Sequence, residues 1–199
     1  MGPAGVSATT LFSTERLDYA RLSAADADGP YLRWLTDPEV TKFLTSRRRN
    51  WDAQMLRDYI AAANGNPSVL LVGLFLKSDG RHIGNIRCDP IKWEHGRTIM
   101  GFLIGEKALW GRGYASEGVR GICDYAFRAL RLRKVYASCN SANTGSLTAL
   151  AKAGFHREGA RAEHFYVDGA WTDQLLFARF CEENRVPAQP VAFPVMERS

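Results

Sequence analysis

The chain has no apolar run long enough to cross a membrane and no cysteine spacing typical of a zinc site. Its longest apolar run, residues 69–76, is interrupted by Gly73, whereas a membrane-spanning helix needs about 20 apolar residues. The first residues lack the basic and apolar segments of a signal peptide. None of the four cysteines belongs to a C-x-x-C pair. We therefore expect a cytoplasmic protein that contacts no membrane, holds no metal and keeps its thiols reduced.

The chain also lacks internal repeats, low-complexity tracts and a basic stripe interleaved with aromatic residues. The last absence argues against nucleic acid as a partner, although the net charge of +5 suits an anionic ligand. With 199 residues, 46% of them hydrophobic, the chain has the size for one substantial core. We expect a single domain over residues 14–181, a flexible N-terminus over residues 1–13 and a polar tail over residues 182–199.

Hydrophobic periodicity divides this domain into strands and helices. Apolar runs predict strands over residues 15–21, 68–77, 82–91, 98–104, 135–139, 155–161 and 171–180. Between the fourth and fifth of these strands, the apolar positions 115, 119, 122, 123, 126, 127 and 130 follow the spacing of one face of an α-helix. A strand, a helix and a strand in succession predict that the two strands are parallel neighbours.

Residues 110–115, with the sequence WGRGYA, lie between the fourth strand and this helix. The first N–H groups of a helix have no partners within it, and the helix dipole places positive charge there. Since glycines let a ligand approach the backbone closely, we call this candidate phosphate-binding segment the cradle loop. It is not a P-loop, because G-x-x-x-x-G-K-[ST] is absent, and Ser116 breaks the Rossmann pattern G-x-G-x-x-G. Taken alone, it is equally typical of a tight turn before a helix.

Further motifs give the cradle loop a context. Together with it, TERL at residues 14–17, WLTDPEV at 34–40, IGNI at 83–86 and GF at 154–155 resemble the GNAT superfamily of acyl-CoA N-acetyltransferases. The resemblance is to the branch that includes the ribosomal-protein alanine acetyltransferases, and it extends over about residues 14–180. It implies an α/β fold with a mixed, mostly antiparallel central sheet of about six or seven strands and helices on both faces.

The resemblance implies that the cradle loop binds the pyrophosphate of coenzyme A, with acetyl-CoA as co-substrate. Trp110 stands where the general family pattern has Gln or Arg. A backbone N–H of the fourth strand would face the thioester carbonyl, and Asn143 would contact the pantetheine. The implied cofactor-binding residues are Phe102, Leu103 and Ile104 through their main chain, and Trp110, Gly111, Arg112, Gly113, Tyr114, Ala115, Asn143 and Ser146.

Acetyl transfer also needs a proton donor for the leaving thiolate and a base for the amine. Many family members use a tyrosine as the donor, but the corresponding residue here is Leu150, which has no proton to give. The N-x-x-S pattern that ends at Ser146 matches the ribosomal-protein branch and makes this serine the candidate donor. Glu163 matches a glutamate proposed as the base in that branch. Alternative bases are His164, Glu94 and His95.

These residues support the hypothesis of an acetyl-CoA-dependent N-acetyltransferase in which a primary amine attacks the thioester directly. A non-catalytic acyl-CoA-binding or regulatory domain is the alternative, because Leu150 replaces the usual tyrosine. The acceptor stays open among a protein N-terminus, an amino sugar, a polyamine and an antibiotic amine. The sequence is compatible with a monomer and with a homodimer.

Overall fold

The computed structural model describes residues 10–44, 47, 49–184, 189–190 and 193. Eight strands lie within these residues: β1 Thr10–Ser13, β2 Leu17–Arg21, β3 Leu70–Leu76, β4 His82–Lys92, β5 Arg97–Ile104, β6 Lys134–Asn140, β7 His156–Val167 and β8 Ala170–Phe180. They form one sheet in the order β1-β2-β3-β4-β5-β6-β8-β7. Neighbouring strands are antiparallel except β5 and β6, which run parallel. This is the mixed, mostly antiparallel α/β sheet that the family resemblance implies.

Helices cover both faces of the sheet, as expected. Within the described residues they are α1 Pro30–Thr36, α2 Pro38–Thr41, α3 Ala53–Gly65, α4 Tyr114–Arg128 and α5 Thr144–Lys152, with short 3-10 turns at Ala24–Asp28, Trp93–His95 and Lys107–Leu109. Buried side chains of α4 and α5 pack into one hydrophobic core, and those of α1, α2 and α3 pack into a second. The sheet therefore separates two cores.

Strand β3 shows why its sequence is apolar throughout. Every residue of β3 is buried, and successive side chains of a strand point to opposite faces. Leu70, Val72 and Leu74 belong to the core under α4, whereas Leu71 and Phe75 belong to the core under α1–α3. A strand that is covered on both faces needs apolar side chains at every position.

Helix α4 forms over the residues that the periodicity predicts. Val119, Ile122 and Cys123 are almost completely buried against the sheet. Gly121 lets the helix approach closely, because a Cβ at this position would overlap the phenol of Tyr19. The helix connects β5 to β6, which confirms that these two strands are parallel neighbours.

The structure differs from the sequence predictions at the two ends of the chain. Thr10–Ser13 forms a strand that pairs with β2, although residues 1–13 are predicted to be flexible; residues 1–9 lie outside the described part. This strand raises the number of strands from the expected six or seven to eight. In the predicted tail, Asn184 is buried, and its Nδ2 donates to the carbonyl oxygens of Phe127 and Leu132 at 2.8 Å each. Most of residues 185–199 lie outside the described part.

The cysteines behave as apolar core residues. All four thiols are free, and Cys88 and Cys123 are buried. Burial raises the pKa of Cys88 to about 12 and also raises the pKa of Cys123. These two thiols are therefore protonated at neutral pH. Among the described helices, none combines the length and the apolar character needed to cross a bilayer.

Candidate functional site

Strands β5 and β6 separate partway along their length and leave a gap in the sheet. They pair over three residue positions only, the last of which joins Ile99 to Tyr136. Beyond this point β5 continues beside β4 as far as Ile104, and β6 continues beside β8 as far as Asn140. The facing edges of β5 and β6 therefore present backbone groups that none of the described strands pairs. This is the opening at which the resemblance places the thioester.

The backbone groups of Phe102, Leu103 and Ile104, the three residues predicted to face the thioester, do not all point toward the gap. The N–H of Gly105 donates to the carbonyl oxygen of Ile83 in β4 at 2.9 Å. Backbone groups alternate along an antiparallel strand, so Leu103 also directs its N–H and carbonyl toward β4. Phe102 and Ile104 direct theirs toward the gap.

Trp110 ties the cradle loop to the edge of the gap. Its Nε1–H donates to the carbonyl oxygen of Ile104 at 2.8 Å, while the side chain stays 42% exposed. This hydrogen bond uses the carbonyl that Ile104 would otherwise present to the gap. The N–H groups of Phe102 and Ile104 are left as the donors on this edge.

The cradle loop has the left-handed backbone that its glycines permit. Gly111 and Gly113 have φ angles of +74° and +82°. Residues with a Cβ rarely adopt these values. Gly113 is the N-cap of α4 and supplies no side chain to the first N–H groups of the helix. Arg112 is exposed, and its N–H makes a long hydrogen bond of 3.4 Å to the carbonyl of Leu109. The loop thus presents glycine backbone and an unsatisfied helix start, as a phosphate site requires.

A cluster of side chains that is not predicted from the sequence contacts this loop. The buried carboxylate of Glu117, in the first turn of α4, accepts from Thr14 Oγ1 at 2.6 Å, from the backbone N–H of Arg16 at 2.8 Å and from Arg16 Nε at 2.6 Å. Arg16 Nη1 donates in turn to the carbonyl oxygen of Arg112 at 3.0 Å. The same guanidinium lies 4.3 Å from the ring centroid of Tyr114. We call Thr14, Arg16 and Glu117 the clamp.

The clamp keeps Glu117 ionised. Burial raises the pKa of this carboxyl, but the hydrogen bonds from Thr14 and Arg16 and the positive charge of Arg16 outweigh burial, so the pKa lies below its usual value. The guanidinium of Arg16 is fixed by these contacts, and the Arg16 side chain remains 40% exposed. The clamp joins the turn between β1 and β2 to the cradle loop. Its residues Thr14 and Arg16 belong to the TERL motif, which the sequence offers only as part of the family resemblance.

Helix α5 places Ser146 and Asn143 after the end of β6. The side-chain oxygen of Asn143 accepts from the backbone N–H of Ser146 at 3.1 Å and caps the helix. Ser146 is partly exposed. Leu150, by contrast, is completely buried in the core, so this position supplies apolar packing rather than a proton.

The structure does not bring Glu163 to the edge of the gap. It is exposed on β7, in a bulge where its φ is +49°, and its N–H donates to Asp173 Oδ1 at 3.0 Å. Strand β8 lies between β7 and β6, so the backbone of Glu163 is roughly 10 Å from the β6 edge. Glu94 and His95 lie in the turn that precedes β5, at the end opposite to the gap.

Comparison with known proteins adds to this geometry. The family model of the acetyltransferase (GNAT) domain matches residues 16–156. An uncharacterized N-acetyltransferase, p20, of Bacillus licheniformis is 31% identical over 172 residues, which cover 83% of this chain and 93% of that protein. The [ribosomal protein uS5]-alanine N-acetyltransferase of Escherichia coli is 31% identical over 113 residues, covering 56% of this chain and 57% of that protein.

A solved structure supports the fold. The spermidine N-acetyltransferase of Vibrio cholerae, crystallised with CoA and spermine, has a TM-score of 0.77 at 16% identity, with 86% of this chain and 99% of that chain covered. The family model spans most of the chain, and the relative from Bacillus licheniformis is matched over nearly its whole length. The chain therefore belongs to the GNAT acetyltransferase family and is an N-acetyltransferase.

Proposed function

We propose that this enzyme transfers an acetyl group from acetyl-CoA to a primary amine by direct attack of the amine on the thioester. The observation that carries the proposal is the gap between β5 and β6, which opens beside the cradle loop. A thioester held in this gap has a phosphate site at one end and unpaired strand N–H groups beside it.

The cradle loop would hold the pyrophosphate of coenzyme A. The positive φ angles of Gly111 and Gly113 and the open space around Gly111 fit a ligand that lies against backbone. The N–H groups of Gly113, Tyr114 and Ala115 would donate to the phosphate oxygens, and the exposed guanidinium of Arg112 would add a charge-assisted hydrogen bond. Each hydrogen bond to a charged group contributes about 1.5–3 kcal/mol.

The chemistry would then use the two walls of the gap. The N–H of Phe102 faces the opening and would donate to the thioester oxygen, on which negative charge develops during attack. A carbon–nitrogen bond forms and the carbon–sulfur bond breaks. Ser146 would give its hydroxyl proton to the leaving thiolate. Because Glu163 lies on β7, it would take the proton of the amine through water.

The acceptor that we propose is a protein N-terminus or an amino sugar. The relative from Escherichia coli carries a name that specifies a ribosomal-protein alanine, and the structural neighbour is named for spermidine. We place the enzyme in the cytoplasm, where its free cysteines would stay reduced, as a monomer or a homodimer without a nucleic-acid partner.

Calorimetric titration with coenzyme A tests the cradle assignment. Gly113→Val should abolish binding, since the valine side chain would occupy the phosphate position, and Arg112→Ala should weaken it about tenfold. Gly169→Val is a matched control, because Gly169 has a φ of +83° in the distant turn between β7 and β8. Tight binding by both cradle variants would refute the assignment.

Thiol release from acetyl-CoA with a panel of amines separates the enzyme from a non-catalytic CoA-binding domain. The proposal expects release that depends on the amine and that falls in Ser146→Ala by more than any loss of coenzyme A binding in that variant. Retained binding without turnover of any amine would favour the non-catalytic alternative.

A further inference from the structure

A row of hydrogen-bonded side chains crosses β7, β8 and β6 and ends at the gap. Arg161 Nη1 donates to Gln174 Oε1 at 2.9 Å, and Gln174 Nε2 donates to Ser138 Oγ at 3.0 Å. Arg161 and Gln174 are direct partners in the ladder between β7 and β8. The row therefore joins an exposed cation to a hydroxyl on the wall of the gap.

Ser138 lies beyond the last pair of β5 and β6. Continued by two residues, the register that joins Ile99 to Tyr136 places Ser138 opposite Gly101 across the opening. Gly101 is exposed, and a Cβ on it would meet nothing within 4 Å. Val135 and Ala137 point into the core under α4, so Ser138 points to the other face. That face is opposite to the one that α4 covers, so an amine approaching from it would meet a thioester whose cofactor lies at the start of α4.

The chemistry of the row fixes its direction. A guanidinium has donors only, so Gln174 must turn its carbonyl to Arg161 and its NH₂ to Ser138. Ser138 thus accepts one hydrogen bond, and its own proton is available to a ligand. Because each bond polarises the next, the charge of Arg161 strengthens this donor. The row is suited to binding an oxygen that carries negative charge.

The charge at the end of the row also favours an anionic ligand. Within the described part of the chain, the ion pairs do not include Arg161. This cation, at the end of the row, attracts an acceptor with an anionic group.

We infer that the acceptor is a primary amine that carries a carboxylate or phosphate close to the amine, and that Ser138 and Arg161 bind this anionic group. The inference rests on the proposed function, because it concerns the amine that reaches the gap. The row would select the acceptor and would take no part in the acetyl transfer itself.

Paired acceptors test the inference by thiol release. Alanine against alaninamide tests a carboxylate, phosphoethanolamine against ethanolamine tests a phosphate, and alanyl peptides with Asp or Asn at the second position test a side-chain carboxylate. Spermidine serves as the polycation. We expect kcat/KM for the anionic member of at least one pair to exceed that of its neutral partner and that of spermidine at least tenfold, as one charge-assisted hydrogen bond predicts.

Variants assign this preference to the row. Arg161→Gln and Ser138→Ala should reduce the ratio within the pair toward one without changing the KM for acetyl-CoA, and Arg161→Lys should restore part of it. Arg120→Gln, at an exposed arginine of α4, should leave the ratio unchanged.

Three outcomes would overturn the inference. If amines are acetylated but the neutral or polycationic members react best, the inference fails while the proposed function stands. A ratio that survives in both Arg161→Gln and Ser138→Ala would place the anion elsewhere. If no amine is acetylated although coenzyme A binds, the proposed function fails and the inference fails with it.

Discussion

The change Glu117→Gln tests whether the clamp holds the cradle loop. One carboxylate oxygen of Glu117 accepts from Thr14 and from the Arg16 N–H, and the other accepts from Arg16 Nε. A glutamine keeps the shape but replaces one acceptor by an NH₂ group. If its oxygen keeps the first pair of bonds, its NH₂ faces another donor. Arg16 then loses its fixed position and with it the hydrogen bond to the carbonyl of Arg112.

The magnitude follows from the exposure of the two partners. Breaking a fully buried ion pair costs about 3–5 kcal/mol, whereas an exposed pair contributes about 0–1 kcal/mol. The side chain of Glu117 is 10% exposed and that of Arg16 is 40% exposed, so we expect an intermediate loss of about 2 kcal/mol. In a chain of this size that loss lowers Tm by about 4–8 °C. Losing the charge-assisted bond to the loop should weaken coenzyme A binding about tenfold.

Thermal melts and calorimetry with coenzyme A measure both effects. Asp124→Asn is the matched control, because Asp124 also lies on α4 and pairs with Arg179 Nη2 at 3.1 Å, away from the cradle loop. The control should leave the affinity for coenzyme A unchanged. A Glu117→Gln variant that melts within about 1 °C of the wild type and binds coenzyme A normally would refute the reasoning.

Other parts of the structure give further predictions. Trp110→Phe removes the indole donor to the Ile104 carbonyl, and steady-state kinetics should show a KM for acetyl-CoA raised about fivefold, equivalent to about 1 kcal/mol. A methyl group at Gly105 would overlap the Trp34 indole, so Gly105→Ala should lose about 1–3 kcal/mol in urea unfolding. The pKa of Glu117 is lowered by folding, so its contribution should be constant between about pH 6 and pH 8 and disappear as the pH falls below its usual pKa of about 4.3. The free energies of unfolding of the wild type and Glu117→Gln, measured by urea melts, should therefore converge in acid. A difference in unfolding free energy that persists there would contradict the assignment.

Much of the fold is readable from local patterns, and the rest depends on contacts between distant residues. The helix after the cradle loop is predictable because its apolar positions repeat at helical spacing over four turns. Thr10–Ser13 is missed because four residues give too short a pattern to separate a strand from a loop. The insertion of β8 between β6 and β7 has no local signal, since pairing partners are chosen by tertiary packing.

The candidate site divides in the same way. The residues of the cradle loop are consecutive in the sequence, so its two glycines and the helix that follows predict it. The clamp joins Arg16 to Glu117 across 101 residues, and a carboxylate in a first helical turn is as typical of a dipole interaction as of an ion pair. The backbone of Leu103 differs from that of its neighbours only through the register with β4, which no motif encodes.

The strand order has a consequence for how the protein is made. Strands β1 to β5 each pair with a strand that is adjacent in sequence, so this half of the sheet can form as the chain leaves the ribosome. Past Tyr136, β8 is the only described strand that pairs with β6. This part of β6 must therefore wait until residues 170–180 have been synthesised. A nascent chain stalled before residue 170 therefore contains the cradle loop but lacks an ordered second wall of the gap. The gap is complete only when the last strand, β8, has been added.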